Sequence, residues 1–182
     1  MGLNLHKTVV LVGMMGSGKT AVGRALSARL NVPFRDSDAE IEEAAQRSIA
    51  EIFSRDGEPF FRDREAEVIE RLLTDVPSVL STGGGAFLAE RNRTAITERG
   101  ISVLLDADLD LLWDRVKSKD TRPLLRTSNP RATLTQIFND RSSIYGLADL
   151  AVAADPAYSI DDMTDAVIAT LRTRTDVLTE EG

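Results

Sequence analysis

Short runs of consecutive apolar residues alternate along this chain with longer stretches in which apolar residues recur every three to four positions. The first pattern suits strands buried on both faces and the second suits helices with one buried side, so the alternation predicts an α/β domain with a mostly parallel sheet. Four runs read as strands, at residues 9–12, 79–82, 101–105 and 150–153, and Val32-Pro33-Phe34-Arg35 is a weaker fifth. Val22, Leu26 and Leu30 give the first helix its buried stripe, with Asn31 as a stop and Pro33 beyond it. Ser48-Ile49-Ala50-Glu51 has the spacing of a capping box and opens a short helix. Asp56-Gly57 makes a turn, and Phe61, Val68 and Leu72 mark the next helix. Further helices are predicted at 90–99, 109–117, 132–143 and 160–171. Between residues 118 and 131 the periodicity lapses into a charged loop, whose length inside a compact domain points to function. The polar tail, residues 172–182, has little to bury and is expected to fray.

At 182 residues, 42% hydrophobic and 28% charged, the chain suits one domain with a sizeable core and leaves no room for a second catalytic domain. A net charge of −7 argues against a nucleic-acid binder, which gains affinity from clustered Lys and Arg, and makes a nucleotide the better phosphate ligand. There is no cysteine, which excludes thiol catalysis and Cys-ligated zinc and fits a reducing compartment. No run approaches the ~18 apolar residues of a membrane span. The expectation is a cytoplasmic monomer with neither a nucleic-acid nor a membrane partner.

Candidate chemistry starts at Gly13-Met14-Met15-Gly16-Ser17-Gly18-Lys19-Thr20, which fits the phosphate-loop pattern and stands between a strand run and a helix. Its glycines allow successive N–H groups to turn inward on phosphate oxygens, at the positive end of the following helix. Gly16, Ser17, Gly18, Lys19 and Thr20 would form the ATP site, with Lys19 reaching the β- and γ-phosphates and the Thr20 hydroxyl holding Mg²⁺.

Acceptor chemistry must come from residues at the same edge of the sheet, where open α/β folds bind ligands. Asp36-Ser37-Asp38 follows the short strand. Alternation sends both carboxylates to one side, so that one orders the Mg²⁺ water shell while the other takes a hydroxyl proton; alternatively Ser37 or Asp38 simply caps the helix at Ala39. Thr82-Gly83-Gly84-Gly85 is either a flexible turn or a place where something must approach the main chain closely. Arg62, Arg122 and Arg141 are candidates for bidentate carboxylate recognition and for neutralising a transferring phosphate. His6, the only histidine, has no triad or metal partners and is expected to be exposed; Trp113 is expected to pack in its helix, as are Met14 and Met15 in the loop.

Taken in order, these motifs resemble those of the shikimate kinases, small P-loop kinases of the nucleoside-monophosphate-kinase architecture. The resemblance rests on the phosphate loop, Asp36-Ser37-Asp38, Phe61-Arg62 with Glu65, Thr82-Gly83-Gly84-Gly85, Arg122-Pro123-Leu124-Leu125, and Arg141 followed by Tyr145. It implies a three-layer fold whose five-stranded parallel sheet has the order 2-3-1-4-5. The implied reaction is ATP plus shikimate giving shikimate 3-phosphate plus ADP, with Mg²⁺. By the same resemblance Lys19, Asp38 and Arg122 are catalytic: Asp38 grips the acceptor hydroxyls and serves as base, and Arg122 rides on a lid over the phosphates. Asp36 lies near the Mg²⁺ shell. Arg62 and Arg141 hold the shikimate carboxylate, Glu65 orients the substrate-binding arginine, and Gly83, Gly84 and Gly85 line the acceptor pocket. For adenine the resemblance offers Arg115, Lys117 and Asp155-Pro156 without choosing among them. The chain departs from the pattern at Asp63-Arg64 and Gly146-Leu147. Gluconate kinase is the nearest alternative among enzymes, and a nucleotide-binding homologue without phosphotransfer is the alternative outside them.

Overall fold

Five consecutive residues with no exposed member form the central strand, β2 (Thr8–Val12), which follows the short β1 (Leu3–Leu5). The computed structural model describes residues 2–117 and 126–181. Next come helix α1 (Lys19–Leu30), β3 (Phe34–Asp36), α2 (Ser37–Ala45), α3 (Ile49–Asp56), α4 (Glu58–Thr74) and β4 (Val79–Ser81). A 3₁₀ turn (Ala86–Leu88), α5 (Glu90–Arg99), β5 (Gly100–Asp106), α6 (Leu109–Val116), α7 (Pro130–Tyr145), β6 (Leu150–Ala153), α8 (Ile160–Leu171) and β7 (Leu178–Glu180) complete the described elements.

The main sheet runs β3-β4-β2-β5-β6 and all its pairings are parallel, which is the expected 2-3-1-4-5 order once β1 is left out of the count. Helices cover both faces. Val10, Val12, Leu80 and Leu104 face α2, α4 and α6, whereas Val9, Leu11, Val103 and Leu105 face α1 and α8, the opposite directions of a pleated strand. Because β2 is buried on both sides, each of its residues must be compatible with a core, and this is why its run lacks polar alternation.

Local signals end the helices where the sequence pattern places them. Asn31 adopts the left-handed conformation at the end of α1, with φ 54°, and Ser48 Oγ accepts the Glu51 N–H at the start of α3. At α8 the box is reciprocal: Ser159 Oγ accepts the Asp162 N–H and the Asp162 carboxylate accepts the Ser159 N–H.

Two expectations fail. The tail does not fray: β7 pairs antiparallel with β1, and Val177 and Leu178 are buried beside Leu5, Leu26, Leu30 and Leu171. Arg174 and Lys7 both reach Asp176, so polar residues that look solvent-bound in sequence anchor two apolar ones. The charged loop also ends earlier than residue 131, because Pro130 takes the first turn of α7 behind an Asn129 cap. Arg131 lies within α7, where it bonds Asp110 and stands over the Trp113 ring. Trp113 and Met15 pack partly buried against the core and Met14 is buried in it. His6 is exposed and its Nε2 meets Thr179 Oγ1 at 2.7 Å.

Candidate active site

The phosphate loop leaves the carboxyl end of β2 and turns into α1. Gly16 and Gly18 have φ of 83° and 97°, a conformation that side-chain-bearing residues rarely adopt, and this turns the loop back over the start of α1. Lys19 Nζ donates to the carbonyls of Gly13 (2.6 Å) and Met14 (3.1 Å). Arg115, from α6, braces the loop from outside by donating to the Gly16 carbonyl at 3.0 Å.

The loop forms one wall of a cavity of about 1290 Å³, also lined by Asp36, Asp38, Arg62, Gly83, Gly84, Gly85 and Arg141. That exceeds the ~300–1,000 Å³ of an ordinary single-ligand pocket and accommodates a nucleotide and an acceptor side by side. The sequence-predicted residues Gly16, Ser17, Gly18, Lys19 and Thr20 line it as well. Arg122 lies outside the described residues.

Asp36 and Asp38 both reach the cavity, but strand alternation is not what places them. The strand ends at Asp36, whose Oδ1 caps α2 by accepting the N–H groups of Asp38 (2.9 Å) and Ala39 (3.2 Å). Asp38 therefore projects from the first helical turn. Capping and site placement coexist, with Asp36 rather than Ser37 or Asp38 as the cap. Burial pushes the Asp38 carboxyl up to about 6, with the negative charges of Asp36, Glu65 and Glu42 adding to the effect and Arg62 opposing it.

The three consecutive glycines answer three charged side chains. A Cβ on Gly83 would stand 2.6 Å from Asp38 Oδ1, one on Gly84 3.0 Å from Arg141 Nη1, and one on Gly85 2.6 Å from Arg62 Nη2. Only a main chain without side chains allows Asp38, Arg141 and Arg62 to converge on this strip, and close approach rather than a flexible turn accounts for the motif. The strip is itself held: Gly83 donates its N–H to the fully buried Ser37 Oγ at 3.1 Å, and Thr82 Oγ1 bonds the Leu11 carbonyl.

Behind Arg62, Glu65 accepts from Nη1 at 2.9 Å and is only 1% exposed. Burial raises its pKa, while the hydrogen bond and charge of Arg62 pull the other way. A buried carboxylate tied to one arginine fixes that guanidinium far better than a surface pair does. Asp63 and Arg64, which depart from the resemblance, point away to Arg91 and Glu67. Leu147 is exposed.

Of the adenine candidates, Arg115 and Asp155 form part of the lining, and Lys117 and Pro156 do not; Lys117 pairs with Asp114 on the surface. Sequence reasoning missed Tyr158, Ile160 and Met163, which also line the cavity. Tyr158 was findable, since it stands between the end of β6 and the α8 capping box, at the ligand-binding edge of the sheet.

Thr20 and Asp36 both line the cavity, and both offer hard oxygen atoms. Asp36 Oδ2 accepts no hydrogen bond from the described residues. This donor set fits Mg²⁺, which needs only one or two protein oxygens beside phosphates and water.

A shikimate kinase family model matches residues 15–172. The shikimate kinase of Ruegeria pomeroyi is 67% identical over 174 residues, 96% of this chain and 89% of the relative. A solved shikimate kinase from Acinetobacter baumannii, in complex with shikimate, superposes with a TM-score of 0.84 at 34% identity, covering 93% of this chain and 94% of that one. A gluconokinase from Sinorhizobium meliloti superposes with a TM-score of 0.62 at 17% identity over 93% of this chain and 94% of that one, a likeness of fold alone.

Proposed function

This chain belongs to the shikimate kinase family and is an ATP-dependent kinase that phosphorylates shikimate to shikimate 3-phosphate, and we propose that the residues converging on the glycine strip carry out that transfer. The carrying observation is the one-to-one packing of Gly83, Gly84 and Gly85 against Asp38, Arg141 and Arg62 in a cavity continuous with the phosphate loop.

Arg62 and Arg141 bind the acceptor carboxylate from two sides, and their fixed forks set the ring so that the 3-hydroxyl meets Asp38. Asp38, ionised above about pH 6, accepts the hydroxyl proton as the oxygen attacks the γ-phosphorus. Lys19 leaves the Gly13 and Met14 carbonyls for the phosphate oxygens and offsets the charge that spreads over them. Gly16, Ser17, Gly18 and Thr20 cradle the nucleotide phosphates. Thr20, with Asp36 through water, would hold the Mg²⁺ that screens the phosphate charge. For Arg122 the reading rests on its place in the sequence motif, which assigns it to the transferring phosphate. The working unit of this reading is a monomer, and the lack of cysteine fits a reducing compartment such as the cytoplasm. No helix among the described residues is long and apolar enough to cross a membrane.

The methyl ester of shikimate tests the carboxylate reading. It keeps the hydroxyls and removes the charge, so kcat/KM is expected to fall by about 10²-fold or more. An ester turned over as efficiently as the acid would show that the two arginines do not read the carboxylate.

A further inference from the structure

The Gly84 carbonyl accepts two hydrogen bonds, from Arg141 Nη1 at 3.1 Å and from Tyr145 Oη at 2.7 Å. Both donors come from α7, one helical turn apart, and so lie on the same face. We propose that Tyr145 is a positioning residue for acceptor recognition: its hydroxyl fixes the Gly84 carbonyl, and that carbonyl in turn aims the Arg141 guanidinium. The inference rests on the reading that Arg141 binds the acceptor carboxylate.

The two donors differ in how firmly they are held. Tyr145 is 3% exposed and its ring belongs to the core beneath the sheet, whereas Arg141 is half-buried on the cavity wall. Gly84 has no side chain to anchor it and is flanked by two more glycines, the residues with the most backbone freedom to lose. Gly83 is tied through its N–H to Ser37, and the Gly85 carbonyl receives the Leu88 N–H, so Tyr145 is the core-anchored donor at the middle of the strip. Burial raises the phenol pKa, with the charge of Arg141 and its hydrogen bond to the phenol oxygen opposing, so the hydroxyl remains a donor throughout the working pH range and touches the guanidinium it helps to aim. A guanidinium has five N–H groups in a rigid fork, and fixing one of them on Gly84 sets the direction of those left for a carboxylate.

Tyr145→Phe removes the one donor and keeps the ring. Shikimate KM is expected to rise about 5- to 20-fold, while kcat and the ATP KM change less than about twofold. In an Arg141→Lys background the same change is expected to lower kcat/KM by less than about twofold, because the fork it aims is gone. A tyrosine that only packs would lower the melting temperature and leave shikimate KM alone, or would act equally in both backgrounds; either result overturns the inference. Arg141→Lys by itself separates the two levels. If it leaves shikimate KM unchanged, the carboxylate reading and this inference both fail; if it raises KM but Tyr145→Phe does not, only the inference fails.

Discussion

Gly83 Cα lies so close to the Asp38 carboxylate that a methyl group there would stand 2.6 Å from Oδ1. No van der Waals contact permits that distance, and the Gly83 backbone is pinned by its bond to Ser37, so the carboxylate is the partner that must move. Gly83→Ala is expected to lower kcat about 10- to 100-fold while ATP binding stays near normal, since a base displaced by about 1 Å loses its alignment but the phosphate loop is untouched. Steady-state kinetics with each substrate varied in turn checks this.

Asp38→Asn keeps the shape of the side chain and removes its ability to take a proton, so kcat is expected to fall by about 10²-fold or more. Stability should move the opposite way. Because the carboxyl titrates at about 6 in the folded protein and at 3.8 when unperturbed, the folded state holds the extra proton between those values. The stability this group confers is thus present in full below about pH 4 and is lost as pH rises through 6. At pH 7.5 the asparagine variant should be the more stable, by at most about 2–3 kcal/mol, and the difference should vanish near pH 4. Thermal melts across that range give the answer.

The pH profile of kcat/KM for shikimate should fall on its acid side near pH 6, where Asp38 in the free enzyme becomes protonated. Asp36 is one of the charges that raise this value, and an asparagine at its place can still cap α2. The acid limb of Asp36→Asn is accordingly expected to move to lower pH, whatever happens to the plateau. A limb that stays in place or moves up would mean that Asp36 does not act on the base.

The terminal clasp is a matter of stability and not of chemistry. Leu178 is buried with Val177 against α1, α8 and β1, and neither residue lines the cavity. Leu178→Ala should cost about 2–4 kcal/mol, read from chemical denaturation, with both KM values unchanged at temperatures below the transition.

Legibility in the sequence followed the range of the interactions. The phosphate loop was readable because residue type, spacing and flanking elements are all local and all constrained. The main strands were readable because burial on both faces fills β2 with apolar residues from Val9 to Val12. Asp36 and Asp38 were readable as a pair, but their placement was misjudged, since alternation stops where α2 begins at Ser37. The glycine strip announced a close approach without saying to what: Arg141 and Tyr145 meet Gly84 from 57 and 61 residues away. Likewise β1 and β7 are three residues each, and nothing local marks their pairing; Val177 and Leu178 look like part of a polar tail until the opposite end of the chain is laid beside them.

The most direct test of the account is ADP release by the purified protein with ATP and Mg²⁺, offered shikimate, gluconate and nucleoside monophosphates in parallel, with the phosphorylated position of the product read by phosphorus and proton NMR. The proposed roles, a carboxylate held by Arg62 and Arg141 and a ring hydroxyl deprotonated by Asp38, call for fast release with shikimate alone and for phosphate on its 3-hydroxyl. Release no faster with shikimate than with buffer, while gluconate or a nucleotide turns over quickly, would contradict it.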